Sequence, residues 1–160
     1  MNNTPKLQIQ QAPQALKDLY ELAQLARSRS YSRYSGYAVG AAIRLADGRT
    51  FGGCNVENAS YGATVCAERV AIQKAVSEIG GAFTLSEIMV ITDATPPWPP
   101  CGMCRQVIAE FAQDTQVYTA NLSGEYQVMP FKDLFPNSFD RAQISPAEST
   151  SEGPTVSYKK

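Results

Sequence analysis

Cys66-Ala67-Glu68 and, further along, Pro100-Cys101-Gly102-Met103-Cys104 bring three thiols and a carboxylate into two short motifs. Thiolates are soft donors that suit zinc. Structural zinc sites are closed by four protein ligands, whereas catalytic sites use three and keep one position open. Cys66, Cys101 and Cys104 fit the open kind. A zinc ion held this way lowers the pKa of water toward neutrality. Glu68, next but one to Cys66, is placed to act first as base and then as acid. The chemistry implied is hydrolysis. The chain contains no histidine, which excludes a Ser-His pair, a histidine base and any histidine ligand.

Each residue also has a plainer role. Glu68 could simply complement a helix dipole from the first turn. Cys54, the fourth cysteine, could close a structural Cys₄ site and make the chain a binding module. Such sites use paired Cys-x-x-Cys knuckles, and Cys54 belongs to none, so it reads better as a buried small hydrophobe. Two disulfides would need an oxidising compartment. The polar start of the chain has no apolar targeting core, and no apolar run reaches membrane-spanning length. The expectation is a cytoplasmic chain with reduced thiols.

The elements that must position these groups follow from periodicity. Residues 1–13 are rich in Asn, Gln and Pro and are expected to be a loose leader. Leu16, Leu19, Tyr20, Ala23 and Ala26 recur at helical spacing, giving a first helix from about residue 14 to 28. Residues 38–46 and 50–56 read as strands joined by an Asp47-Gly48 turn. A second helix is expected over 64–79, stopped by Gly80-Gly81. A buried strand follows over 85–92 and a proline-rich turn over 95–100. A third helix then presents Met103, Val107, Ile108 and Phe111 on one face. Residues 116–120 and 126–129 supply two more strands. Two strands followed by alternating helix and strand argue for an α/β sheet with helices on its faces. Residues 141–160 carry mainly Ser, Glu, Pro and Lys and are expected to be disordered.

Length and composition suit one soluble domain of 160 residues, 44% hydrophobic and 18% charged. Net charge is −1, and after Arg105 only Lys132, Arg141, Lys159 and Lys160 are positive. A basic footprint for nucleic acid is missing, so a small neutral substrate fits better. Cys66 and Cys101 each stand where a helix should begin, and a helix N-terminus stabilises a thiolate. Residues two apart on an ideal helix point about 200° apart. Cys66 must therefore sit at the very start of its helix if Glu68 is to share the site.

The segments Gly53-Cys54-Asn55-Val56-Glu57-Asn58-Ala59-Ser60-Tyr61, Val65-Cys66-Ala67-Glu68-Arg69 and Pro100-Cys101-Gly102-Met103-Cys104-Arg105-Gln106-Val107 together resemble cytidine deaminase. The likeness is to the short, homotetrameric form with three cysteine ligands, and it spans about residues 14–140. It implies an α/β fold with a mixed five-stranded sheet, helices on both faces and three layers. It also implies one Zn²⁺ per chain on Cys66, Cys101 and Cys104, with Glu68 as proton carrier. The expected reaction converts cytidine and 2′-deoxycytidine to uridine and 2′-deoxyuridine, with loss of ammonia, in pyrimidine salvage.

By the same resemblance Arg69 donates hydrogen bonds to ligand sulfurs and offsets their charge; its alternative is a surface arginine. Asn55 and Glu57, on one side of a strand end, bind the 3′-hydroxyl region of the nucleoside. Ala67 belongs to the substrate pocket. Tyr37 takes an aromatic position, commonly Phe, that packs on the pyrimidine; a core tyrosine is the competing role. Phe139 reaches a neighbouring subunit's site or else anchors the last turn. Competing readings are a deaminase of a nucleoside antibiotic or free base, a nucleic-acid editing deaminase, and a structural zinc module. The Asn55/Glu57 pair favours a sugar-bearing substrate, and Glu68 favours catalysis.

Overall fold

A computed structural model of the chain describes residues 7–139. The elements run β1 (Leu7–Gln8), α1 (Gln14–Arg27), β2 (Gly40–Leu45), β3 (Thr50–Cys54), α2 (Ala67–Ile79), β4 (Leu85–Thr92), α3 (Gly102–Ala109), β5 (Ala112–Asn121), β6 (Glu125–Pro130) and α4 (Phe131–Leu134). Single 3-10 turns occupy Ile9–Gln11 and Tyr61–Ala63.

The strands form one sheet in the order β1-β6-β5-β4-β2-β3. β4 and β5 are parallel, with Ile88 opposite Val117 and Ile91 opposite Ala120. Every other pair is antiparallel. A parallel pair needs a crossover, and α3 supplies it. Successive strand residues face opposite sides, and β4 shows why both sides are covered. Ile88 and Val90 join Ile72, Ala75 and Ile108 in one core, under α2 and α3. Met89 and Ile91 join Leu16, Leu19, Tyr20 and Ala23 of α1 in the other. This is the expected three-layer α/β arrangement, with six strands rather than five.

The sixth strand comes from the segment expected to be a loose leader. Leu7 pairs with Tyr126 and Gln8 with Glu125, and the Ile9 amide donates to the Gly124 carbonyl at 2.8 Å. Ile9 and Ala12 are then buried beside α1. A two-residue edge strand carries no readable periodicity, yet its backbone pairing and two apolar side chains tie the segment down. The expected tail, 141–160, lies outside the described residues, as do residues 1–6.

Two glycines set how closely the helices approach the sheet. A Cβ on Gly40 would lie 2.0 Å from the Ala23 carbonyl oxygen of α1. On Gly53 it would lie 2.4 Å from the Ala71 nitrogen and 2.5 Å from the Ala67 oxygen of α2. Gly53 thus lets the first turn of α2 lie directly on β3, which fixes where Cys66 and Glu68 stand.

Candidate active site

α2 begins at Ala67, later than the expected Thr64. Val65 is held extended by an antiparallel bridge to Val56, and Cys66 keeps an extended backbone at φ −70°, ψ 156° as the helix cap. Its carbonyl accepts from the Val70 amide at 3.1 Å. Cys66 is therefore the last residue before the helix, and the opposed orientation feared for positions two apart on a helix does not arise. Cys101 repeats the arrangement at the start of α3, with φ −66°, ψ 168° and its carbonyl accepting from Arg105 at 3.0 Å. Cys104 follows one turn on and is fully buried.

The three Sγ atoms lie within 4.8 Å of one another, and those of Cys66 and Cys101 are 4.0 Å apart. Zn–S bonds of about 2.3 Å in tetrahedral geometry place sulfurs about 3.8 Å apart, so the cluster fits a zinc ion with little adjustment. Among the described residues no other Cys, Asp and Glu group gathers in this way. Cys54 stands apart, half-buried rather than buried, with its thiol 3.4 Å from the Arg29 carbonyl. That removes the Cys₄ alternative. All four cysteines are free thiols.

The thiols of Cys66 and Cys104 compete for negative charge. Hydrogen bonding from Cys104 pulls the Cys66 thiol down to about 6, against the effect of burial, with Cys101 and the Arg69 charge helping. Cys104 is driven the other way, by that same bond and by burial. A divalent cation among the thiols reverses this competition, because each thiolate then ligates it. Glu68 is 4% exposed. Burial pushes its carboxyl up to about 7, and the negative charge of Cys66 adds to the rise.

Arg69 is beside Cys66, where its charge acts, and it is not a free surface arginine. Its guanidinium donates to the Thr64 carbonyl at 2.6 Å and reaches the Met103 sulfur at 2.8 Å. Its Nε is buried with no partner, a donor available to a ligand sulfur. Met103, expected on the inner face of α3, is instead exposed, because Cys104 and Ile108 take the inward positions.

A cavity of about 250 Å³ opens over this cluster, lined among others by Cys66, Ala67, Glu68, Cys101, Asn55 and Tyr37. That is slightly below the ~300–1,000 Å³ of typical ligand pockets and suits something as small as one nucleoside. Asn55 Oδ1 accepts from the Ser30 hydroxyl at 2.5 Å and the Val39 amide at 2.8 Å, and its Nδ2 donates to the Tyr37 carbonyl at 2.9 Å. One amide hydrogen of Asn55 remains for a ligand. Glu57 lines an adjoining depression with Tyr34, Ser35 and Thr64 rather than the cavity over the thiols. Its carboxylate accepts from the Tyr34 and Ser35 amides at 2.8 and 3.1 Å and from the Ser35 hydroxyl. Those bonds, the hydroxyl's first, hold it below the usual carboxylate range. Phe139 is 56% exposed and is not among the cavity-lining residues. Sequence reasoning missed Ser35, Thr64 and Trp98 on the cavity wall. Only Trp98 gave a signal, as the single tryptophan of the chain, set between prolines just before Cys101.

A buried carboxylate beside three clustered thiols, in a crevice on an α/β sheet, defines a hydrolytic zinc-site class. Residues 13–120 match the family described as the cytidine and deoxycytidylate deaminase zinc-binding region, and the chain belongs to that family. A cytidine deaminase of Halalkalibacterium halodurans is 48% identical over 115 residues, 71% of this chain and 86% of that one. One from Sporosarcina psychrophila is 42% identical over 121 residues, covering 75% and 88%. The crystal structure of cytidine deaminase from Burkholderia pseudomallei superposes with a TM-score of 0.72 at 40% identity, covering 77% of this chain and 98% of that one.

Proposed function

We propose that this chain catalyses the zinc-dependent hydrolysis of cytidine and 2′-deoxycytidine to uridine and 2′-deoxyuridine, releasing ammonia, as a step of pyrimidine salvage. One observation carries the reading: Glu68 and the thiols of Cys66 and Cys101 line the same nucleoside-sized cavity, with Cys104 completing the thiol cluster beneath. Held by Cys66, Cys101 and Cys104, zinc supplies Lewis acidity that lowers the pKa of water to near neutrality.

The side chains do the rest. The Glu68 carboxylate takes a proton from the attacking water and delivers it to N3 of the pyrimidine. It then takes the second proton, from the hydroxyl now on C4, and passes it to the amino nitrogen; the carbonyl re-forms as the C4–N bond breaks, so water and cytidine become uridine and ammonia. Burial of Glu68 keeps bulk water from competing for these protons. Arg69 and the N-termini of α2 and α3 offset the charge of three thiolates. The remaining Asn55 amide hydrogen meets a sugar hydroxyl. Glu57, its carboxylate steadied by Tyr34 and Ser35, joins Asn55 at the 3′-hydroxyl end of the nucleoside, and Ala67 and Tyr37 bound the base.

The reading extends to a homotetramer in the cytoplasm. Free thiols suit a reducing compartment. Phe139, exposed on its own chain, is offered to a neighbouring site. No helix among the described residues is long and apolar enough to cross a membrane.

The test is the fall in ultraviolet absorbance of cytidine on mixing with purified protein, with bound zinc quantified in the same sample. Turnover with about one zinc per chain supports the reading. Zinc without turnover of either nucleoside overturns it. Light scattering on the active sample decides the assembly, since an active monomer removes the role given to Phe139.

A further inference from the structure

The chain between β4 and Cys101 is fastened at both ends. On the β4 side the Ala94 amide donates to the Thr92 hydroxyl at 3.2 Å, and Asp93 pairs with Arg27 at 3.6 Å. Asn121 Nδ2 donates to the Thr95 hydroxyl at 3.1 Å. Asn121 is 2% exposed, and its Oδ1 accepts from the Ser123 amide and hydroxyl and from the Glu125 amide, at 3.1, 2.7 and 3.0 Å. On the far side Arg105 Nε donates to the Pro100 carbonyl at 2.8 Å. Between the fastenings stand Pro96, Pro97, Trp98 and Pro99. Proline fixes φ and restricts the residue before it, so this segment has few conformations to lose when a ligand arrives.

What it presents is Trp98. The indole lines the cavity together with Tyr37, Glu68, Cys66 and Cys101. Its ring centroid is 5.2 Å from that of Tyr37, with planes at 65°. Trp98 and Tyr37 are 43% and 53% exposed, so both keep ring surface that no core residue covers. Two steeply angled aromatic surfaces bounding one small cavity form a notch. A planar heterocycle can stack on one wall and meet the other edge-on, the geometries aromatic quadrupoles favour.

We propose that Trp98 is a substrate-contacting residue that, with Tyr37, grips the pyrimidine base and holds it over Glu68 and the thiol cluster. The inference rests on the nucleoside deaminase reading and adds a second aromatic wall to it. A contact made with the base before and during reaction lowers KM and leaves kcat nearly unchanged.

Trp98 is the chain's single tryptophan, so its fluorescence reports on this notch alone. The zinc-loaded wild type is titrated with uridine, which has the base and no amino group to lose, and in parallel with ribose. Saturable change in Trp98 emission with uridine and none with ribose is expected. Trp98→Ala should raise KM for cytidine about tenfold, within the range for one base–aromatic contact. Its kcat should stay within about threefold and its melting temperature should hold. Trp98→Phe should recover most of the loss. The proposal is overturned if emission ignores uridine at concentrations that inhibit turnover, or if Trp98→Ala keeps the wild-type KM. A joint fall in kcat and melting temperature without a rise in KM also overturns it, since that marks a merely structural residue. A wild type that does not deaminate cytidine overturns the underlying reading and this one together. Normal wild-type turnover with an unaltered Trp98→Ala overturns this one alone.

Discussion

Gly53→Ala should disable the site through a residue that touches neither substrate nor metal. The new Cβ would lie 2.4 Å from the Ala71 nitrogen and 2.5 Å from the Ala67 oxygen. Carbon meets such atoms comfortably at about 3.5 Å, so α2 must retreat from β3 by about 1 Å. Both obstructing atoms are backbone, and no rotamer change relieves the clash. Overpacking of this kind costs about 1–3 kcal/mol, which in a chain of this size lowers the melting temperature by roughly 2–12 °C. Function should suffer more than stability. Cys66 and Glu68 flank Ala67 and move with the helix, whereas Cys101 and Cys104 ride on α3. Metal sites tolerate only about 0.2 Å in ligand distance, and a misplacement of about 1 Å costs about a hundredfold in rate. The assay compares melting temperature, zinc per chain and kcat/KM with those of Gly81→Ala, whose added methyl meets nothing within 4 Å. If Gly53→Ala matched Gly81→Ala in all three, the claim that this close approach sets the site would be wrong.

Three further outcomes are expected. Glu68→Gln should keep about one zinc per chain but lose at least ~10²–10⁴-fold in kcat, whereas Cys101→Ala should lose both; zinc analysis beside steady-state rates separates the two. Cys54→Ala should retain zinc and turnover, because that thiol stands outside the cluster; loss of zinc would restore it as a ligand. The Glu57 carboxyl is held low by the Ser35 hydroxyl and the Tyr34 and Ser35 amides. Its stabilisation is thus complete above the unfolded pKa of about 4.3 and is lost as pH falls through the lower folded value. The protection of the Tyr34 and Ser35 amides against exchange, relative to the intrinsic rate at each pH, should fall over that acid range in the wild type. In Glu57→Gln that protection should already be reduced at neutral pH.

The groups proposed to do chemistry were legible because metal ligation and proton transfer demand particular side chains at short spacing. Cys66, Glu68, Cys101 and Cys104 could be read from two motifs. α1 and β4 were legible because long apolar periodicities survive in one dimension. What escaped depends on partners far along the chain. β1 exists only because β6 offers an unpaired edge. Thr64 and Val65 have acceptable helix neighbours, yet the bridge from Val65 to Val56 keeps them extended and so delivers Cys66 as a cap. Residues 112–115 include Gln113 and Asp114 and look unlike a strand, but Leu85 pairs with Ala112 and β5 begins there. Met103 took an inward position in the helical pattern that Cys104, one residue on, in fact fills. The Asn55/Glu57 pair was visible as a pair, but the hydrogen bonds that brace Glu57 against Tyr34 and Ser35 were not.

The double fastening of the segment before Cys101 bears on how such a protein can change over generations. Asn121 secures Thr95 from the end of β5 and Arg105 secures Pro100 next to Cys101. The residues between these anchors can be exchanged with little force reaching Cys101. If Trp98 grips the base as proposed, selectivity for the ring that enters and retention of the machinery that attacks it are mechanically separated, although they sit only a few residues apart. A lineage built on this plan can try new rings without first surrendering its reaction.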